Sequence, residues 1–508
     1  MHTSHSRDIQ ASFTLTLRRA MWMASASLMA VACLSVTEAR AQEASDATAQ
    51  PAVAGNAAAQ AAKSAEKVGI LPEALQKALS HTYRTNPEIK AQRKVLEQLN
   101  ENVSQAFSGW LPTASIDYNK GRQRNRFSQS QQGNSLINSQ QDSRWSYSDN
   151  EVRQLTVEQP LFRGGETVAQ TNSAEKQVEA GRAELTNTEQ EIMLRAITSY
   201  MDVVRDRSVL ELSRNNVDVL RKQLQASRDR FDVGEVTRTD VAQSEARLAR
   251  AQNDEILAKG ALTTSIANFE RFVGYTPEEL SVPEAFPEIP ATVEEAVTIA
   301  LESNPALISA MYRSEAAEDD VDVNVARILP DVSLRGTMRR EQGAGIIGNA
   351  DFDNDAVTVN VSVPLYQSGA EYSRIRASKS RLSEQRFQLS NVRDQVRQTV
   401  VQSWEDLETS ISAIRATNEA IAAAQIALKG VRQEQLYGAR TILDVLDAEQ
   451  ELFSAEVSLV RAQRDRIVAI FTLLARMGRL TPEMLVLDTP AFNPKEHYED
   501  VRYQVIGF

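Results

Sequence analysis

The chain has 508 residues, of which 24% are charged and only 6% aromatic, with 20 Gly and 15 Pro. Setting aside the first 41 residues, which hold four Arg and two acids, leaves 52 Lys+Arg against 66 Asp+Glu, a net charge of −14. Such an acidic chain argues against nucleic acid as a partner, and its low aromatic content with abundant Ala, Gln, Glu, Arg and Leu points to long helices rather than a conventional enzyme core.

The N-terminus reads as a secretion signal over residues 1–41. Arg18 and Arg19 precede the apolar run Ala20 to Val36, and Ala39-Arg40-Ala41 supplies a small-x-small cleavage site before Gln42. The only cysteine, Cys33, lies inside the apolar run, so the mature chain has neither a disulfide nor thiolate chemistry. Ala30-Val31-Ala32-Cys33 also reads as a degenerate lipoprotein signal lacking the usual Leu, which leaves lipidation of Cys33 open. Residues 42–69 are Ala-rich and poor in bulky side chains, the composition of a flexible lead-in. No later stretch offers twenty consecutive apolar residues, so no transmembrane helix is expected.

An internal repeat then organises the mature chain into residues 70–285 and 286–485, with a tail over 486–508. Asn86-Pro87 and Leu111-Pro112 recur 218 residues later as Asn304-Pro305 and Leu329-Pro330. Pro160-Leu161-Phe162, Gly234, Asp240 and Gly274 recur 204 residues later as Pro364-Leu365-Tyr366, Gly438, Asp444 and Gly478. The difference of 14 must fall between Leu111 and Pro160, as an insertion in a polar loop.

Each copy has one plan. A helix is expected from about Leu75 to Ser108, followed by strands in which Ala114, Ile116 and Tyr118 alternate with Ser115, Asp117 and Asn119, and Leu155 and Val157 with Thr156 and Glu158, up to Pro160. In the second copy Val332, Leu334 and Met338, then Val357, Val359, Val361 and Val363, show the same period of two. The intervening loops, about Arg122 to Ser148 and Gln342 to Asp355, are polar and lie opposite the helical tips, so they should face out of the cell and expose Gln131. No proline interrupts Leu161 to Thr276 or Leu365 to Thr481, so each stretch is two helices broken only at a tip. The span Glu166 to Arg230 alone would reach about 100 Å. Beyond the second tip, Leu446, Phe453, Val460, Ile467 and Leu474 recur every seventh residue as a coiled-coil seam.

The tips read VGEVTRTDV and YGARTILDVLDAEQ. Gly closes one helix and Thr-x-x-Asp caps the next, with the hydroxyl of Thr237 or Thr441 at the N-cap and Asp240 or Asp444 three residues on. Val445 and Leu446 then belong to the apolar seam, and Asp444 and Asp447 to the opposite side. Asp447 is matched in the first copy by Gln243 and needs an explanation other than capping. An enzyme finds little to work with: His81 and His497 are the only mature histidines, and neither a metal-ligand spacing nor a cofactor motif appears. Four strands per chain cannot close a barrel, and open edges are not tolerated in hydrocarbon, so membrane insertion requires several chains to share one barrel. The other reading of the same periodicity is a soluble four-stranded sheet capped by coiled coils, a passive surface scaffold.

Taken jointly, the paired NP and LP motifs, the PL[FY]xxG turns and the two tips resemble the TolC family of outer-membrane efflux and secretion channels over residues 70–508. The resemblance implies a mainly α fold with a small β part, long antiparallel coiled-coil hairpins, and four strands per chain in a 12-stranded barrel shared by a homotrimer. It implies an outer-membrane protein with a large periplasmic portion and no catalytic activity. Its partners would be outer-membrane lipid, a periplasmic adaptor and an inner-membrane ABC or proton-driven transporter. The tail PAFNPKEHYEDVRYQVIGF looks like that of members serving type I protein secretion; multidrug efflux is the alternative cargo. By the same resemblance, residues around Gly234 and Gly438 contact the adaptor, and Arg440 is held near Thr239 or Asp240 of the neighbouring hairpin in a closed state. Gln435 departs from the family's usual Tyr three residues before the tip Gly, so the lock differs. Asp444 and Asp447 would line the periplasmic entrance as rings of carboxylates, a seat for a blocking multivalent cation although the chain has no intrinsic metal site. Ordinary solvated side chains at a turn are the alternative for both the arginine and the acids.

Overall fold

A computed structural model describes residues 71–127, 144–283, 285–342 and 351–504; the signal, the lead-in, Gln131 and Cys33 lie outside them. The first elements are α1 (Glu73–Thr85) and α2 (Pro87–Phe107), in place of the single helix expected from Leu75 to Ser108. Pro87 breaks it. Proline at the first helical position needs no N–H, and Asn86 Oδ1 caps the new helix by accepting from Glu88 N at 2.9 Å.

Two strands follow, β1 (Thr113–Phe127) and β2 (Arg144–Arg163), then a hairpin of α3 (Glu166–Asp232) and α4 (Arg238–Val273). The second copy repeats this as α5 (Val293–Ser303), α6 (Pro305–Ala326), β3 (Asp331–Gln342), β4 (Phe352–Ser362), α7 (Ala370–Leu436) and α8 (Ile442–Arg476). A short α9 (Glu496–Val501) closes the described chain. The long helices α3 and α7 each have 67 residues, about 100 Å of helix.

The strands form one antiparallel sheet in the order β1-β2-β3-β4. Its register aligns Ala114, Val157, Gly336 and Val357 in one row and Ile116, Leu155 and Met338 in another, which ends at Asp355 on the rim of β4. The alternate row, Ser115, Thr156, Thr337 and Ala356, is mostly polar. One face is therefore apolar, yet it is not buried in the chain: Ile116 and Val357 are each 77% exposed. Two boundaries differ from expectation. Pairing of Arg122 with Asp149 out to Phe127 with Arg144 makes strand of the rims of the expected loop, because a hairpin ladder satisfies backbone groups whatever the side chains. Strand β2 also runs past Pro160 to Arg163, with a register shift between Pro160 and Phe162, where proline cannot donate to the ladder.

The two copies share one core. Leu75, Met193, Tyr200 and Phe269 from the first pack with Val400, Phe471 and Leu474 from the second. The NP motifs explain how. Asn86 Nδ2 donates to Phe272 O at 3.2 Å and Asn304 Nδ2 donates to Arg476 O at 2.8 Å, so each asparagine caps the start of one helix and the end of the hairpin's return helix. Helix α3 also runs antiparallel to α6, with Arg327–Glu166 at 3.0 Å, Lys176–Glu315 at 2.6 Å and Arg313–Glu184 at 3.2 Å marking the register. The tail docks on the first copy. Arg93 lies between the Tyr83 and Phe492 rings, with its Cζ 4.7 and 4.5 Å from their centroids, and Tyr498 and Arg502 both reach Glu175.

Candidate functional site at the hairpin tips

Each tip is built twice by the same chemistry. Gly234 and Gly438 adopt φ values of 81° and 77°, which close α3 and α7 without the steric cost a side chain would bring. Thr237 Oγ1 accepts from Asp240 N at 3.3 Å while Asp240 Oδ2 accepts from Thr237 N at 2.8 Å; Thr441 and Asp444 repeat the arrangement at 3.3 and 2.9 Å. The Thr441 backbone N–H, then its hydroxyl, then the nearby Arg440 hold the Asp444 carboxyl below the usual carboxylate range.

Val445 and Leu446 are buried, while the Asp444 and Asp447 side chains are 38% and 57% exposed, as the seam requires. Ile442 and Leu446 seat α8 against Val217 and Leu220 of α3 and Ala251 of α4. Arg440 pairs within its own hairpin, with Nε 3.0 Å from Glu434 Oε2 and Nη1 3.9 Å from Asp444 Oδ1. Within one chain it does not join Thr239 or Asp240. Thr239, Gly234 and Gly438 are exposed, and half-buried Gln435 contributes its carbonyl to Gly438 N at 3.1 Å.

Asp447 has a partner that sequence reasoning missed: Arg247 of α4 donates to its Oδ1. Farther along α8, Arg464 Nε donates to Asp202 Oδ1 of α3 at 2.9 Å, and Asp202 also accepts from Arg205 at 2.9 Å. The contacts from α8 pair residues 200 and 262 positions apart, so no local pattern announces them. The two histidines are structural. His81 Nδ1 lies 2.6 Å from Val273 O at the end of α4, and His497 Nδ1 lies 3.3 Å from Asn100 Nδ2 under the tail. A polar groove of about 620 Å³ between α3, α7 and the α8 terminus, lined by Gln190, Arg195, Asp202 and Arg476 among others, holds no nucleophile–base pair. Among the described residues no cluster of three metal-ligating side chains occurs.

The family model for outer membrane efflux proteins matches residues 76–275 and 296–479, one segment in each copy of the repeat. The chain belongs to the outer membrane efflux protein family. It is 32% identical over 437 residues to the outer membrane efflux protein BepC of Brucella suis biovar 1 (strain 1330), covering 86% of this chain and 92% of that one. It is 29% identical over 332 residues to the alkaline protease secretion protein AprF of Pseudomonas aeruginosa, covering 63% of this chain and 68% of that one. In fold it is similar to the CmeC outer membrane channel of Campylobacter jejuni, with a TM-score of 0.70 at 15% identity, over 85% of this chain and 89% of that one. As a member of this family it is a TolC-like transport channel of the outer membrane with a large periplasmic portion, and not an enzyme.

Proposed function

We propose that the chain is the outer-membrane exit duct of a type I protein secretion system. Three copies would pool their four-stranded sheets into one 12-stranded barrel, with β1 of one chain completing the ladder left open by β4 of the next, and the apolar face turned to lipid. The observation that carries this reading is the sheet itself: its apolar face is exposed and, among the described residues, its outer strands carry unpaired edges, which a membrane tolerates only in a closed barrel. Similarity to AprF, named for protease secretion, together with the PAFNPKEHY tail, supports protein as cargo. Similarity to BepC, named for efflux, supports small molecules as the second reading.

The signal over residues 1–41 would deliver the chain to the periplasm, and the tips at Gly234 and Gly438 would meet an adaptor carrying an inner-membrane ABC transporter, or a proton-driven pump under the efflux reading. Asp444 and Asp447 would ring the periplasmic entrance. Rings of carboxylates favour cations and can be bridged by a multivalent one. Purified protein should run as a trimer and conduct in planar bilayers. Asp444→Asn with Asp447→Asn should lower cation selectivity and weaken block by La³⁺. The cap is spared in that variant, because the amide oxygen that replaces the Asp444 carboxylate can still accept from Thr441 N. A non-conducting monomer would refute the shared barrel. Export of a large protein only when the channel is co-expressed with an ABC transporter and adaptor would separate secretion from efflux.

A further inference from the structure

Helices α2 and α3 of the first copy form a groove that the chain's own tail fills. Phe492 covers Arg93 of α2, and the Tyr498 ring packs on Arg182 of α3, whose Cζ lies 5.2 Å from its centroid. Tyr498 Oη and Arg502 Nη2 donate to Glu175 Oε1 at 3.2 and 3.1 Å, and His497 Nδ1 lies 3.3 Å from Asn100 Nδ2. The repeat places a second such groove between α6 and α7. An offset of 218 carries Arg93 and Asn100 to Met311 and Glu318, and one of 204 carries Glu175, Arg182 and Glu189 to Lys379, Arg386 and Arg393. Arg386 reaches Glu318 across this second groove at 3.4 Å, so the geometry repeats as well.

Among the described residues no segment lies on the second groove. The Arg182 side chain, under the tail, is 15% exposed, and that of Arg386 is 59% exposed. Asn100 is buried, whereas Glu318, Met311, Lys379 and Arg393 are exposed. A neighbouring chain in the proposed trimer would use another face. Helix α3 meets α6 through Glu166, Lys176 and Glu184 while it also carries the tail, and α7 presents the same two faces. The grooves differ in charge. Residues 166–196 of α3 hold three cations and six acids, and the matching 370–400 of α7 hold seven cations and three acids. In an otherwise acidic chain, Lys379, Arg386 and Arg393 recur every seventh residue and so share one helix face.

We propose that the α6–α7 groove is the docking site for an acidic, aromatic-bearing segment of another protein, which lies there as the tail lies on α2 and α3. The tail shows the mode. An aromatic ring sits on the arginine common to both grooves, Arg182 or Arg386. Beside it, cationic Arg502 meets Glu175, so the counterpart that meets Lys379 is a carboxylate. Met311, where the first groove has Arg93, gives the segment an adaptable apolar seat. The chain's own lead-in does not match, since residues 42–69 hold three acids, two lysines and no aromatic ring. The groove is independent of the cargo that the channel carries.

The test is fluorescence anisotropy of labelled synthetic peptides with the full-length protein in detergent. One peptide is residues 490–504 unchanged, and the other carries Arg502→Glu. Wild-type protein should bind the Arg502→Glu peptide about five-fold more tightly, the upper range for one exposed ion pair. Lys379→Glu, which reproduces the acid of the first copy, should reverse that preference, and Arg386→Ala should weaken binding of the Arg502→Glu peptide. Lys379 and Arg386 are exposed, so neither change threatens the fold. Binding of neither peptide to wild type, or an unchanged preference in Lys379→Glu, would overturn the docking site. Binding that is lost in phosphatidylglycerol nanodiscs and kept in phosphatidylcholine ones would overturn it in favour of an anionic lipid headgroup.

Discussion

Asn304 offers the sharpest test of how the two copies are joined. Its Oδ1 accepts from Ala306 N at 3.0 Å and from Leu307 N at 3.3 Å, and its Nδ2 donates to Arg476 O at 2.8 Å, in a residue only 8% exposed. Asn304→Ala removes all three. Loss of an N-cap costs about 1 kcal/mol. Leaving the Arg476 carbonyl without its donor near a buried helix end costs roughly 1–3 kcal/mol more. The sum is about 2–4 kcal/mol, large beside ordinary surface substitutions of about 0.5 kcal/mol. Asn304→Asp divides the effect, because its carboxylate keeps the cap acceptor and loses the donor to Arg476. Guanidinium unfolding of the purified protein, followed by far-UV circular dichroism, should rank wild type above both Asn304→Asp and Asn304→Ala by more than about 1 kcal/mol. An Asn304→Ala midpoint indistinguishable from wild type would refute the double-cap account of the NP motif.

Two other expectations follow from the same geometry. Gly438→Ala should cost about 1–2 kcal/mol, the backbone penalty alone, because its φ is 77° and a Cβ there meets open space. Gly478→Ala should cost clearly more, because φ is 76° and the new Cβ would collide with the Ser303 carbonyl; equal losses by thermal denaturation would count against that packing. Burial beside Arg93 pushes the Glu189 carboxyl up, the ion pair at 3.2 Å opposing the desolvation only in part. The folded state then holds a proton longer than the unfolded chain, so stability falls as pH rises from the ordinary glutamate range through the folded titration. Glu189→Gln should flatten that decline, and an unchanged pH profile of unfolding would show that the group titrates normally.

Much of this architecture was legible because it is local or repeated. Alternation of Val357, Val359 and Val361 identifies a strand with one apolar face, and the constant offset of Gly438, Thr441 and Asp444 from their first-copy counterparts identifies two equivalent tips. The break at Asn86 was less legible: the NP motif is visible, but continuous helical periodicity masks the capping role of its asparagine, and its bond to Phe272 spans the chain. The repeat offset could also have exposed the pairs Arg228–Glu245 and Arg432–Glu449, since all four residues obey it.

The sequence by itself determined the hairpins, the strand faces, the tip caps and the family, because each depends on residues a few positions apart or on a match between copies. Only the tertiary structure decided that Arg440 turns to Glu434 within its own hairpin, that Arg247 rather than solvent faces Asp447, and that Arg464 ties α8 to Asp202. The physical reason is that a charged side chain on a helix surface has several candidate partners of similar energy. Which one it meets is set by how two rigid helices pack, and that packing is driven by apolar seats such as Ile442 and Leu446 on Val217 and Leu220, far apart in the chain.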